Sequence, residues 1–231
     1  MLDAIIFDKD GTLFDFRLSW GAFTDRLLAE VAGDAATARH LGQVLGYDAA
    51  TRHFTRTSPV ISMTTPEIAA ILYPHLPGSG LGQLIDRMSV LSAEATMVPA
   101  VALREVLEAL KGRGLRLGLA TNDTEVPARI HLQKAGVLDL FDYVVGCDSG
   151  FGGKPAPGQL NEFLRRFGLT PSRVAMVGDS QHDLDAGRAA GMHVLAVLTG
   201  IATAGELAPH ADAVLTDIAE IGDWIDAQVL V

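Results

Sequence analysis

Four apolar residues, Ala4-Ile5-Ile6-Phe7, run without a break and stop at Asp8 and Gly11. A short β-branched run closed by a carboxylate and a glycine predicts a buried strand. From Ser19 to Ala95 the pattern changes to a helical one. Trp20, Phe23, Leu27 and Val31 recur at steps of three and four, as do Leu84, Met88 and Leu91. Thr64 and Glu67 have the spacing of a capping box for a helix through Ile68 to Leu72, with Pro66 in its first turn. Pro74, Pro77 and Gly78 predict a loop after it.

Beyond Pro99, helical stretches alternate with short apolar runs. Leu103, Val106, Leu107 and Leu110 share a helix face that ends at Gly112 or Gly114. Strands are predicted at Leu115 to Ala120, Tyr143 to Val145, Val174 to Val177, Val194 to Val197 and Ala213 to Leu215. Helices fall between several of them, from about Glu125 to Ala135 and around Leu160 to Phe167, closed by Gly136 and Gly168. Parallel strands need crossovers and both faces of a parallel sheet must be covered, so this alternation predicts an α/β fold, a doubly wound parallel sheet. The first strand is far from the second in sequence. The intervening block therefore reads as an all-α cap domain, residues 16–95, inserted into a Rossmann-like core made of residues 1–15 and 96–231.

Composition narrows the function classes. Nearly half of the 231 residues are hydrophobic, enough for a buried core. A formal net charge of -10 without a Lys/Arg block argues against nucleic acid or an anionic membrane as partner. Cys147 is the single cysteine, so neither an internal disulfide nor a multi-cysteine metal site can form. The first residues offer neither a basic segment nor an apolar run long enough for a signal peptide or membrane span, and a cytoplasmic location is the expectation.

Polar residues gather just after predicted strands, where open α/β sheets place their ligand crevice. In Asp8-Lys9-Asp10-Gly11-Thr12-Leu13, an extended chain points Asp8 and Asp10 to the same side, and two facing carboxylates require a cation or a shared proton. By itself this cluster fits an acidic turn equally well. Thr121-Asn122-Asp123 offers a hydroxyl and an amide for phosphate oxygens, although such a pair is more often a turn or helix cap. Lys154 lies between Gly152-Gly153 and Pro155, which either fixes its position or makes it a surface-loop lysine. Asp179 and Asp183 fall about one helical turn apart if a helix starts near Ser180, close enough to approach one cation, with Asp179 as a plain N-cap the alternative. The order of all four clusters after consecutive strands is what makes coincidence improbable.

Together these clusters resemble the haloacid dehalogenase-like superfamily, specifically its phosphatases with a small helical cap after the first motif, and the phosphoglycolate phosphatases among them. The Asp8 cluster is similar to the family's Asp-x-Asp-Gly-Thr-Leu motif, Thr121 to its second motif, Lys154 to its third, and Asp179 with Asp183 to its fourth. Lys9 departs from the family, whose middle position there is usually apolar. P-type ATPases share that lysine but carry threonine at the position of Asp10.

The resemblance implies a Mg²⁺-dependent phosphatase acting on a small phosphorylated metabolite. Asp8 would be the nucleophile and Asp10 the acid and base, with Thr121, Asn122 and Lys154 on the phosphoryl group. Asp8, the backbone carbonyl of Asp10, Asp179 and Asp183 would serve the metal. Arg52, His53 and Arg56 form the densest basic group of the cap and are candidates for a substrate carboxylate, such as that of 2-phosphoglycolate; solvent-facing charges are the alternative. A phosphosugar mutase, a phosphorylation-dependent signalling module and a silent phosphate-binding protein are the competing readings.

Overall fold

The computed structural model describes residues 2–76, 78 and 80–229; Pro77, counted above among the loop signals, lies outside the described residues. The chain starts with β1 (Ala4–Phe7), all four residues buried, as expected of a strand covered on both faces. A helical block follows: α1 (Phe16–Val31), α2 (Ala35–Val44), a two-residue ladder of β2 (Tyr47–Asp48) with β3 (His53–Phe54), then α3 (Thr65–Leu72) and α4 (Leu81–Glu94). The rest alternates: α5 (Leu103–Gly112), β4 (Arg116–Ala120), α6 (Glu125–Lys134), β5 (Tyr143–Val145), α7 (Gly158–Phe167), β6 (Val174–Gly178), α8 (Gln181–Ala189), β7 (His193–Val197), α9 (Ala204–Leu207), β8 (Ala213–Leu215) and α10 (Ile221–Val229).

Six strands pair in parallel in the order β5-β4-β1-β6-β7-β8. Alternation along β1 sends Ile5 and Phe7 to one face, where they pack with Leu103 and Leu107 of α5 and Leu132 of α6; Ala4 and Ile6 go to the other, with Leu160 and Phe163 of α7 and Leu184 of α8. This is the doubly wound sheet that the alternating pattern predicts. After β5 the chain returns past β1 and builds outward on the other side. The strand order thus reverses at β1, and the crevice outside its carboxyl end is the usual ligand position of such sheets.

The helical block has its own apolar cluster, with Phe16, Trp20, Phe23, Leu27, Leu41, Phe54, Leu72, Leu84 and Met88 among its buried members. The chain enters and leaves it side by side. Asp15 N–H donates to Val98 O at 2.8 Å and Ala100 N–H to Leu13 O at 2.9 Å. The β2–β3 ladder is a departure from an all-helical block. Strands of two residues are too short to carry a period-2 signal, and this pair is held instead by the tilted contact of the Tyr47 and Phe54 rings and by Asp48 accepting from Ala50 N–H and Thr51 Oγ1.

The capping box at α3 forms: Glu67 Oε2 accepts Thr64 N–H at 2.8 Å and Thr64 Oγ1 accepts Glu67 N–H at 3.4 Å. Removing one member exposes helix-end donors that nothing else satisfies. Thr64→Ala should therefore lower stability by about 1 kcal/mol. A urea titration checks this, and an unchanged midpoint at equal slope would show that the box contributes nothing.

Candidate active site

Each acidic or polar cluster begins where a central strand ends: Asp8 after β1, Thr121 after β4, Asp179 after β6. Because these three strands are neighbours, their carboxyl ends bring the clusters to one crevice. Asp8, Asp10, Thr121, Asn122, Asp123, Lys154 and Asp183 line a single cavity there, roofed by residues of α1, α3 and α4. Glycines make the crowding possible. A Cβ at Gly11, whose φ is +85°, or at Gly200 would collide with the Asp179 carboxylate, and one at Gly178 with the Asp183 side chain.

Lys154 Nζ donates to Asp8 Oδ1 at 2.5 Å and to Asp183 Oδ1 at 2.6 Å, all three groups buried. Burial pushes the Asp8 carboxyl up to about 7 against the pull of Lys154, with Asp183 and Asp10 adding to the rise. Asp179 is held well above the ordinary carboxylate range by burial and then by Asp183 and Asp8. Lys154 is raised in turn, since its two carboxylates outweigh the effect of its burial.

Asp8, Asp179 and Asp183 each offer an oxygen within 4.8 Å of the others. Ionised together, these three carboxylates around one ammonium would leave two negative charges in a dry site, which is why burial and mutual repulsion hold Asp8 and Asp179 high. Hard oxygen donors with that surplus fit a divalent cation such as Mg²⁺. The Asp10 side chain is outside this triangle. Its Oδ2 lies 3.2 Å from Lys9 Nζ, while its Oδ1 is buried without a hydrogen-bond partner. Burial raises the Asp10 carboxyl; Lys9 opposes the rise and Asp123 adds to it.

Lys9, the residue that departs from the family motif, is completely buried. Its Nζ donates to Asp123 Oδ2 at 2.6 Å and to His131 Nδ1 at 2.9 Å. His131 Nε2 sits 2.7 Å from the carbonyl oxygen of Ser92, so this nitrogen carries the proton and Nδ1 is the acceptor. Ser92 Oγ donates to Asp123 Oδ2 at 3.0 Å, which ties α4 into the network. Despite its burial, Asp123 is lowered by Lys9, whereas burial and then Lys9 take the His131 imidazole down to about 3. Asp123 was visible in the sequence only as the third residue of its cluster, and His131, one polar residue among several along α6, gave no sign of its role.

Other expectations need correction. The Asn122 side chain is committed to the protein: Nδ2 donates to Ser62 O and Lys154 O, and Oδ1 accepts Lys154 N–H at 2.8 Å. It fixes the Lys154 loop, and only the backbone N–H of Asn122 is left for a phosphate oxygen. Arg52, His53 and Arg56 do not reach the cavity. Arg52 Nε pairs with Asp25 at 2.7 Å, beside Gly21. At roughly 100° per residue, Gly21 and Asp25 lie about a third of a turn from the Trp20, Thr24 and Leu27 stripe that faces the cavity. His53 is exposed on β3, and Arg56 pairs with Glu206 at 2.5 Å beside a neighbouring cleft. His182 lines both this cavity and the neighbouring cleft.

Two outcomes follow from the Lys9 network. Asp123→Ala takes the nearer carboxylate from a buried ammonium, leaving it Asp10 at 3.2 Å and His131, and should cost about 3 kcal/mol, part of it recovered when Lys9→Met is added; a double mutant no more stable than the single one would contradict this. The second concerns pH. His131 is neutral when folded and titrates near its ordinary 6.5 when unfolded, so between about 6.5 and about 3 the unfolded chain binds the extra proton and stability falls as pH drops. Melting curves of wild type and His131→Gln from pH 7 to pH 5 should show the steeper loss in wild type; parallel curves would refute it.

A family model for haloacid dehalogenase-like hydrolases matches residues 2–191. A phosphoglycolate phosphatase of Rhodospirillum rubrum is 34% identical over 97% of this chain and 91% of its own length. An N-acetylmuramic acid 6-phosphate phosphatase of Pseudomonas aeruginosa is 27% identical over 97% and 95%. The phosphate-bound crystal structure of CbbY from Rhodobacter sphaeroides superposes with a TM-score of 0.69 at 24% identity, covering 96% of this chain and 97% of that one, a likeness of fold. With the acids and threonine at the carboxyl ends of β1, β4 and β6, and the lysine in the loop between β5 and α7, in the order of the four motifs, the chain belongs to the haloacid dehalogenase-like hydrolase family.

Proposed function

We propose that the protein is a Mg²⁺-dependent phosphatase that hydrolyses a small phosphate monoester through an aspartyl-phosphate on Asp8. The observation that carries this reading is the pairing of two different carboxyls on one cavity wall. Asp8 is held by Lys154, and Asp10 presents a buried, unpartnered Oδ1. On the same reading, residues 1–15 and 96–231 are the catalytic core and residues 16–95 the cap.

A carboxylate approaching a phosphate dianion is repelled, so attack requires fixed positive charge at the site. Lys154 supplies one charge from within the chain, bridging Asp8 and Asp183. Held by Asp8, Asp179 and Asp183, with the Asp10 carbonyl as a further ligand, Mg²⁺ would add the charge that keeps Asp8 ionised at neutral pH.

Asp8 attacks phosphorus in line, and the bond to the ester oxygen breaks as the new bond forms. Asp10, its carboxyl raised by burial, holds the proton that the departing alkoxide needs. Once ionised, Asp10 takes a proton from water, which hydrolyses the acyl phosphate and restores Asp8. Thr121 Oγ1 already accepts Asp123 N–H at 3.1 Å, so its own O–H is left to donate to a phosphoryl oxygen. The backbone N–H groups of Asp10 and Asn122 are the further donors on this reading.

The R. rubrum relative's name makes 2-phosphoglycolate the first ester to assay. Asp8→Asn should remove turnover of every phosphate ester with the fold intact, since size is kept and the nucleophile lost; phosphate release at more than a trace of the wild-type rate would sink the assignment. Metal-stripped protein should be inactive and recover with Mg²⁺. Ca²⁺, which takes six to eight ligands and tends to bind carboxylates through both oxygens, should inhibit by occupying Asp8. Full activity in the stripped protein, or equal support by Ca²⁺, would refute the metal's role.

A further inference from the structure

The cavity over Asp8 and Asp10 has two unlike walls. The core wall carries the charged groups described above. The opposite wall, from the helical block, is built mainly from Trp20, Phe23, Leu27, Ile61, Met63 and Met88. Its polar side chains are hydroxyls, among them Thr24 and Thr65, and no arginine or lysine of the block lines it among the described residues. Lys154 is occupied by Asp8 and Asp183, and Lys9 is sealed behind Asp123 and His131. His182 is the other basic side chain at the rim.

An ester entering this cavity puts its phosphoryl group on the core wall and its alcohol against the helical wall. A carboxylate on that alcohol would leave water for apolar side chains and the Asp10 carboxyl, with no free arginine or lysine among the described lining residues to receive it and His182 the one basic side chain left. An unpaired buried charge is far more costly than buried apolar surface, which is favourable here. Two further atoms point the same way. Trp20 Nε1 and Thr24 Oγ1, one turn apart on α1, are buried without a hydrogen-bond partner, and both residues line the cavity. Both are uncharged hydrogen-bonding groups, open to an oxygen of the alcohol but bringing no charge to balance a carboxylate. Arg52 is paired with Asp25, and Arg56 with Glu206 on the adjoining cleft, which shares Ile61, Ser62, Met63, Ser180 and His182 with this cavity and reaches Asp179.

We infer that the cap wall selects phosphate monoesters of uncharged, largely apolar alcohols over esters whose alcohol bears a carboxylate. The inference rests on the phosphatase reading and adds the substrate class to it.

The test compares 3-phenylpropyl phosphate with 2-phosphoglycolate on the full-length protein with Mg²⁺, p-nitrophenyl phosphate serving as the check on hydrolysis itself. kcat/KM for the phenylpropyl ester should exceed that for 2-phosphoglycolate by about tenfold or more, most of it in KM. Calorimetry on Asp8→Asn protein should rank the two esters the same way without turnover. Met63 lines the cavity and is 43% exposed, so Met63→Arg can place a cation there with little risk to folding. It should shift the ratio of the two kcat/KM values towards 2-phosphoglycolate by about tenfold. If p-nitrophenyl phosphate and 2-phosphoglycolate are hydrolysed and the latter equals or beats the phenylpropyl ester, the inference is overturned and the phosphatase reading stands. If no ester is hydrolysed, the phosphatase reading fails, and the calorimetric ranking alone decides the inference, equal or reversed affinities overturning it.

Discussion

Burying carboxylates in one crevice is the constraint around which the molecule is built. Asp8, Asp123, Asp179 and Asp183 are all buried, and the carboxyl of Asp10 is nearly so. Such charges persist in a dry site only with partners of opposite sign. Two buried lysines answer this on different sides. Lys154 lies between Asp8 and Asp183, and Lys9 between Asp10 and Asp123. The two acids assigned to chemistry thus have different ammonium partners, which lets their environments differ although they are two residues apart. Separate environments for neighbouring carboxyls are the general route to giving one the nucleophile's part and the other the proton's.

The Lys9 network also connects the helical block to the sheet. Ser92 of α4 meets Asp123 and His131, Trp20 of α1 lies with its ring centroid 5.5 Å from Lys9 Nζ, and Lys134 of α6 donates to Ala93 O. On the other side of the cavity Asn122 reaches Ser62. An apolar residue at position 9 could pack against α1 and α6 but could not bind Asp123. The unusual lysine therefore belongs with Asp123 and His131 as a unit, and it touches the proposed acid through its 3.2 Å contact with the Asp10 carboxyl.

The division of labour between the walls follows from how each is made. Strand ends converge on the core wall because the sheet reverses its order at β1, so charge collects there whatever the ester. The helical wall is the inner face of amphipathic helices, and the residues that fill such a face are the same kind that make a core. A wall of this type favours apolar partners unless a charged side chain is turned inward, and the basic side chains Arg52 and Arg56 are turned outward by Asp25 and Glu206.

The sequence by itself determined the parallel sheet, the strand positions and most of the larger helices, and it singled out Asp8, Asp10, Thr121 and Lys154, which line one cavity. Strands β5 and β8 match the predicted runs at both ends, and the α3 capping box forms at its two expected residues. These features were legible because apolar periodicity, glycine stops and caps are local signals. The helix α2, with few buried residues, the two-residue ladder β2–β3 and the short α9 gave none strong enough to read. Partner choice was the larger gap. Whether Asn122 binds phosphate or braces the Lys154 loop, whether Arg52 faces the cavity or Asp25, and whether Lys9 is an oddity or half of a buried pair with Asp123 depend on contacts between residues 27 to 114 positions apart. Spacing along the chain fixes which strand end a side chain leaves from. Only the packed structure decides which charge it meets, because that depends on how distant helices close over the sheet and exclude water.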